Sequence, residues 1–378
     1  MAAHVCPETL HGSRGDFYSG GRGATKGSIL GWAAVAVFAA STTAGCRPMY
    51  IARLSIEHLR YISRARPIEQ VLAETTDADR RAKLELVLAA RTFAAEQGLN
   101  VGGSYAKVSD TEGLATAYVV TAAYRDRLEP VVWRYPVVGH IPYRGYFDRA
   151  SAEHYAAKLQ SKGLDTYIVE AAGYSTLGWF DDPLPSGTLA LDDVELVTVV
   201  LHELVHQTVY VRGDIAFNET MASAAAQRLA ERFFAGRGDR QRAERARSRH
   251  QRWLEQSRVL ERWAGELTRY FRQTAGLDRA SMLKGRAEIY ERMWPELVET
   301  GLVDRRGKTD GELRARFNNA VFLALYRYRK RASVFERFFD RYPTLREALD
   351  DIRKGTKGAK DPFEWLAGAT DVALGRAL

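Results

Sequence analysis

The chain has 378 residues, 46% of them hydrophobic and 27% charged, so it can bury a sizeable core and is neither collagen-like nor largely disordered. Its 55 Lys and Arg outweigh 47 Asp and Glu, for a net charge of +8, too modest an excess at this length to mark a nucleic-acid binder. Two cysteines, Cys6 and Cys46, exclude a disulfide scaffold and any cysteine-rich metal site.

The first segment reads as a leader. Arg22 and Lys26 precede an uncharged apolar run, Ser28 to Ala40, and small residues follow up to Gly45. That order is the signature of a secretory signal, and the run is shorter than the roughly 20 residues a membrane-spanning helix needs. Thr43-Ala44-Gly45-Cys46 resembles a bacterial lipobox, with Thr43 where that motif has an aliphatic residue. The expectation is a signal over residues 1–45, cleavage before Cys46 and lipidation of that thiol. An uncleaved anchor helix and a cleaved, unlipidated leader are the alternatives, and all three place the body outside the cytoplasm.

Tyr50 to Gln97 carries apolar residues at helical spacing, with Pro67 punctuating two helices and Gly98 stopping the second stretch. Tyr118-Val119-Val120 and Val131-Val132-Trp133 read as strands. A glycine- and aromatic-rich block covers Val137 to Phe147, a helix Ala150 to Ser161, and a strand Asp165 to Val169. A Pro-rich loop through Pro183 and Pro185 leads to a helix opening near Asp192 or Asp193, and beyond Thr220 the chain reads as mostly helix. There Leu260, Trp263, Leu267 and Phe271 form one apolar face. The arginine-dense run Arg237 to Arg252 reads as the solvated face of a long helix, with contact to anionic lipid headgroups as the alternative. Gly355 to Lys360 reads as a loose tail segment. The predicted fold is α+β and mostly α-helical, with a small sheet before the helix at Asp193 and a long helical C-terminal part.

The informative segment is His202-Glu203-Leu204-Val205-His206. On a helix, His202 and His206 share a face and can reach one cation, while Glu203 points aside and can reach a water on that cation. With eight His and 47 acidic residues in 378, roughly 0.02 chance matches to the pattern are expected. The flanks Leu196, Val197, Val199, Val200, Leu201, Leu204 and Val205 mark a largely buried helix, where unpartnered imidazoles would be costly. A catalytic zinc needs one more protein ligand. No His follows until His250. Val211 to Asp214 reads as a turn and Asn218-Glu219 as the opening of a second, antiparallel helix, which would bring Glu219 opposite the two histidines; Asp214 is the rival ligand, otherwise a helix cap.

HELVHQTVY followed by FNETMA resembles the zinc peptidases with a glutamate third ligand, of the thermolysin-like and alanyl-aminopeptidase-like type. More closely the chain resembles the bacterial predicted-aminopeptidase lipoprotein family, through the lipobox, Thr176 to Leu184, HELVHQ, Asp214 to Glu219, and Asn318-Asn319-Ala320 with Tyr328. The likeness runs from about Cys46 to Asp340. It implies one Zn2+ per chain on His202, His206 and Glu219, with Glu203 as general base and Asn218 as a helix cap or a support to the third ligand. Tyr328, with Tyr326 second, is the implied phenol for the developing oxyanion, and Arg144 is a candidate for a substrate carboxylate. The strand Thr166 to Glu170, or Ser175 to Gly178, is expected to line the cleft and pair with substrate backbone. His58, His140, His154 and His250 read as structural or exposed.

The implied organisation is a leader over 1–45, a mainly helical region over 46–160 and a zinc metallopeptidase core with a helical C-terminal region over 161–378. The implied activity is hydrolysis of a peptide or amino-acid amide by a zinc-activated water. The competing readings are a zinc amidase of cell-envelope substrates and a non-catalytic lipoprotein with structural zinc. The expected setting is the periplasm, on a membrane (outer rather than inner) held through Cys46, without nucleic-acid partners.

Overall fold

The computed structural model describes residues 56, 60–110, 117–135, 139–171, 181–303 and 307–371. The leader, Cys46, Ser175–Gly178 and the first part of Thr176–Leu184 lie outside the described residues.

Strand β1 (Ala65–Pro67) runs directly into helix α1 (Ile68–Glu74), and α2 (Ala78–Glu96) follows. Pro67 is thus more than punctuation. It is a strand residue paired with Lys107 of β2 (Lys107–Ser109), where its extended backbone and missing N–H suit a short pairing better than a helix interior. Asp77 caps α2 by accepting from the N–H groups of Asp79 and Arg80. The helix buries Leu84, Val87, Ala90 and Ala94 along one stripe, and Gly98 takes the left-handed turn after it at φ +80°.

The central sheet is antiparallel, with β3 (Ala117–Ala123) between β6 (Tyr143–Tyr146) and β7 (Asp165–Ala171). Val120 stands opposite Arg144 on one side and Ile168 on the other. Helix α3 (Arg149–Gln160) packs Ala152, Ala156 and Leu159 against Val120 and Ala122. Two smaller sheets flank it: β4 (Trp133–Tyr135) with β5 (Gly139–Ile141), and β1–β2 extended in parallel by β8 (Leu184–Pro185). The strand expected at Val131 starts two residues later, because after Pro130 only Val131 N–H reaches the sheet, donating to Ala122 O at 2.8 Å.

Among the described residues every strand precedes α4 (Asp193–Thr208). Then come α5 (Ile215–Gly236), α6 (Arg240–Gln273), α7 (Arg279–Glu299), α8 (Asp310–Arg316), α9 (Asn319–Tyr326), α10 (Ala332–Phe339), α11 (Leu345–Gly355) and α12 (Pro362–Ala369). The architecture is α+β and mostly helical. One core joins α2, α4, α5 and the C-terminal helices, and a second joins α6, α7 and α9. The expected face of α6 is buried against Met293, Trp294 and Leu297 of α7, and each fully buried Leu there contributes about 1.5–3 kcal/mol.

Among the described residues, three of the seven arginines in the run are ion-paired within the fold: Arg242 pairs with Asp193 and Asp239, Arg247 with Glu231 at 2.9 Å, and Arg249 with Asp192 at 3.4 Å. Gly355 to Lys360 is not a loose tail. Thr356 is buried and donates to Ile352 O at 2.6 Å, and Gly355 lies so close under the Trp365 indole that no Cβ fits. No helix among the described residues is long and apolar enough to cross a membrane.

Candidate active site

The apolar flanks of α4 sink it into the core: Leu196, Val197, Val200, Leu201, Leu204 and Val205 are fully buried. That fixes the direction of the remaining face. Asp192 caps the helix through Val194 and Glu195 N–H, and the chain leaves it through a turn whose Gly213 sits at φ +100°. Helix α5 opens at Ile215, earlier than the Asn218-Glu219 start expected, because Asp214 is the cap, accepting from Phe217 N–H at 2.9 Å. Asn218 clips the turn instead. Its amide oxygen accepts from Val211 N–H at 2.7 Å, and its amide nitrogen donates to the carbonyls of Val211 and Asp214 at 2.6 and 2.7 Å. From Met221 to Gln227 every residue of α5 is buried and most are small, which lets α5 lie close along α4.

This hairpin brings His202, His206 and Glu219 together. His202 Nε2 lies 3.0 Å from His206 Nε2 and 3.3 Å from Glu219 Oε2, and the third edge, His206 Nε2 to Glu219 Oε2, is 3.6 Å. Donors at zinc–nitrogen and zinc–oxygen bond lengths on a tetrahedral ion stand roughly 3.3 Å apart, so the triangle fits one small divalent ion. Among the described residues it is the one cluster of three His, Cys, Asp or Glu side chains that can hold a metal. His206 and Glu219 are each 2% exposed. Ser223, one turn beyond Glu219, places Oγ 3.4 Å from His202 Nδ1. With Nε2 turned to a metal, Nδ1–H is the donor to that hydroxyl, which orients the ring. Asp214 remains the helix cap.

Glu203 is buried beside His202. Tyr328 is buried too, its ring centroid 6.3 Å from that of His202. Tyr326 faces elsewhere and donates to Glu261 at 2.7 Å. The asparagine pair upstream builds the approach to Tyr328: Asn318 caps α9, and Asn319 Nδ2 donates to Tyr124 O at 2.7 Å. Asn318 also donates to Thr166 O at 3.1 Å, so that end of the expected substrate-pairing strand is already hydrogen-bonded.

Arg144 and Tyr143 are neighbours on β6 and therefore face opposite sides of the sheet. Arg144 stacks over Tyr155 of α3, 4.8 Å from the ring centroid, while Tyr143 packs with Ile215 of α5. Tyr143 belongs to a set of buried phenols that the motif does not reveal. Burial first, and the Glu219 carboxylate next, push the Tyr143 hydroxyl well above its ordinary value, with Arg327 opposing. The same two causes push Tyr210 up to about 12. Tyr105 is raised by burial and then by Glu203; it sits in the left-handed region at φ +57°, uncommon for an aromatic residue, held by its N–H donating to Asp182 O at 2.8 Å. All three stay protonated at neutral pH, and the Tyr143 and Tyr210 hydroxyls are buried without a hydrogen-bond partner among the described residues.

No curated protein and no solved structure matches the chain. The family model described as "Putative aminopeptidase" matches residues 49–354, most of the sequence, and the chain belongs to that family.

Proposed function

We propose that the protein is a zinc-dependent peptidase, an aminopeptidase in type. The observation that carries the reading is the buried triangle of His202, His206 and Glu219, with edges of 3.0 to 3.6 Å, flanked by Glu203 and Tyr328. The family membership supports peptide hydrolysis. The two imidazoles and the carboxylate would hold the metal, which when bound polarises water and a carbonyl oxygen.

The rest is the work of the chain. Glu203 takes a proton from the attacking water and hands it to the leaving amine nitrogen. It neighbours His202 in sequence yet lies outside the ligand set, so it can move protons without releasing metal. The Tyr328 phenol donates to the oxygen on which charge develops. Ser223 keeps His202 in one tautomer. Burial of the site at 2% exposure for His206 and Glu219 strengthens each of these interactions. The periplasmic setting and the lipid anchor at Cys46 belong to the same proposal and rest on the N-terminal sequence.

The test is Glu203→Gln. The variant should keep stoichiometric zinc and its melting temperature, and lose about 10²–10⁴-fold or more in hydrolysis of amino-acid arylamides and internally quenched peptides. Near wild-type turnover by the variant would sink the mechanism. A zinc-loaded wild type that cleaves no amide on such a panel would favour a structural metal.

A further inference from the structure

Arg327, the residue before Tyr328, is a buried cation to which the described residues give no anion. It is 7% exposed, and a guanidinium keeps its charge when buried. Among the described residues it makes no ion pair and its guanidinium donates no hydrogen bond; its contact is the ring of Tyr143, with Cζ 5.1 Å from the centroid. Other arginines of the core are treated differently. Arg286 pairs with Asp165 at 2.6 Å, and Arg329 donates to Gln256 Oε1 at 2.9 Å and Leu325 O at 3.2 Å.

Arg327 lines a cavity of about 800 Å³, within the usual size of small-ligand sites. Arg272 and Lys330 stand on the same wall, also without ion pairs among the described residues. The acids of that wall are engaged: Asp126 and Glu129 with Arg127 at 3.0 and 2.9 Å, and Asp214 as the cap of α5. The cavity reaches Asp214, Ile215 and Ala216, one turn before Glu219. Thr220 Oγ1, beside Glu219, donates to the Arg327 carbonyl at 3.2 Å. The free guanidinium and the His-His-Glu triangle therefore flank the same end of α5.

We propose that Arg327 anchors a free carboxylate of the substrate, so that the site takes short peptides with an anionic group close to the bond that is cut. The inference rests on the peptidase reading and names its substrate class. The carboxylate comes from the peptide's own C-terminus or from an acidic side chain. Both present the planar acceptor pair that a guanidinium recognises.

The experiment is equilibrium binding by calorimetry on the full-length, zinc-loaded Glu203→Gln protein, whose substitution prevents turnover. The probes are trialanine, its C-terminal amide, and alanyl-aspartyl amide against alanyl-asparaginyl amide. A charge-assisted bidentate pair should favour the carboxylate probe over its neutral twin by about 10- to 100-fold. Adding Arg327→Gln should erase that preference while leaving affinity for the amide within a few-fold. Preference for trialanine over its amide assigns the C-terminus, and preference for the aspartyl probe assigns the side chain. Equal affinity for acid and amide in both pairs overturns the proposal, as does absence of millimolar binding of any probe, and neither result depends on how the Arg327 variant folds. A preference that survives in a folded Arg327→Gln protein overturns it too. Hydrolysis by wild type without any preference for acids would sink this inference alone. Carboxylate-dependent binding with no hydrolysis by wild type would sink the peptidase reading alone.

Discussion

Removing the third ligand is the sharpest perturbation of the site, and its size can be worked out. A metal that binds only the folded chain stabilises it by RT ln(1 + [L]/Kd), about 4.1 kcal/mol when free zinc is held a thousandfold above Kd. The unfolded chain has no equivalent site, because Glu219 meets the two histidines only through the Val209–Asp214 turn. Unfolding entropy is about 2.1 cal/mol/K per residue, or roughly 0.8 kcal/mol/K for a chain of 378 residues. Saturating zinc should therefore raise the melting temperature of the wild type by about 5 °C. Glu219→Ala leaves two ligands; if Kd rises about a thousandfold, the same zinc stabilises by only about 0.4 kcal/mol, and the shift falls below about 1 °C. The apo variant will melt at its own temperature, since a buried carboxylate has gone, so the readout is the zinc-induced difference within each protein. Asp214→Ala is the control. It loses the cap on Phe217 N–H, worth about 1 kcal/mol, and should melt about 1–2 °C lower while keeping the full zinc shift. Scanning calorimetry in zinc-buffered solution measures all three. A full shift in Glu219→Ala, or its loss in Asp214→Ala, would refute the ligand set.

Tyr328→Phe removes only a hydroxyl from the ring 6.3 Å from His202; kcat should fall roughly 10²–10³-fold with KM and zinc content nearly unchanged, and a variant above half the wild-type kcat would remove Tyr328 from the chemistry. At high pH the raised phenols become a liability. Burial and then Glu219 bring Tyr210 to about 12, and burial and then the hydrogen bond to Asp351 bring Tyr342 to about 12. A folded value above the unfolded value of about 10 means that folding favours the neutral phenol. This contribution to stability is complete below pH about 10 and is lost as pH rises toward about 12. Denaturant melts at stepped pH, with phenolate absorbance followed in parallel, should show stability falling across that window; a flat profile through it would contradict the assignment.

Long periodic segments were readable because one physical pattern decides them. The stripe Leu260, Trp263, Leu267 and Phe271 has no stable alternative to burying one helix face. The short strands were not readable. Ala65–Pro67, Lys107–Ser109 and Leu184–Pro185 are two or three residues long, too short for any alternation, and they exist only through partners distant in sequence. The start of α5 was ambiguous for a different reason. Asp214 and Asn218 are both good caps, and only the folded turn shows that the Asn218 amide is committed to Val211 and Asp214.

At the site the same division holds, and it has a functional consequence. His202, Glu203 and His206 follow from one helical period, and Glu219 from a hairpin of two helices. Tyr105, Tyr143, Tyr210 and Arg327 come from four separate segments of a chain with 18 tyrosines, and no spacing links them. The carboxylate-binding role first expected at Arg144 shows what sequence alone leaves open. A strand turns alternate side chains to opposite faces, so the Tyr143–Arg144 pair divides between two environments: the arginine joins Tyr155 on the α3 side and the tyrosine joins α5. The cation that stacks on Tyr143 is Arg327, contributed from the turn after α9, almost two hundred residues downstream. Because that turn carries both Arg327 and Tyr328, a substrate carboxylate held by the first would settle its neighbouring bond against the second. Binding and oxyanion stabilisation would then be coupled through a single peptide unit, and a displacement of α9 should degrade both together.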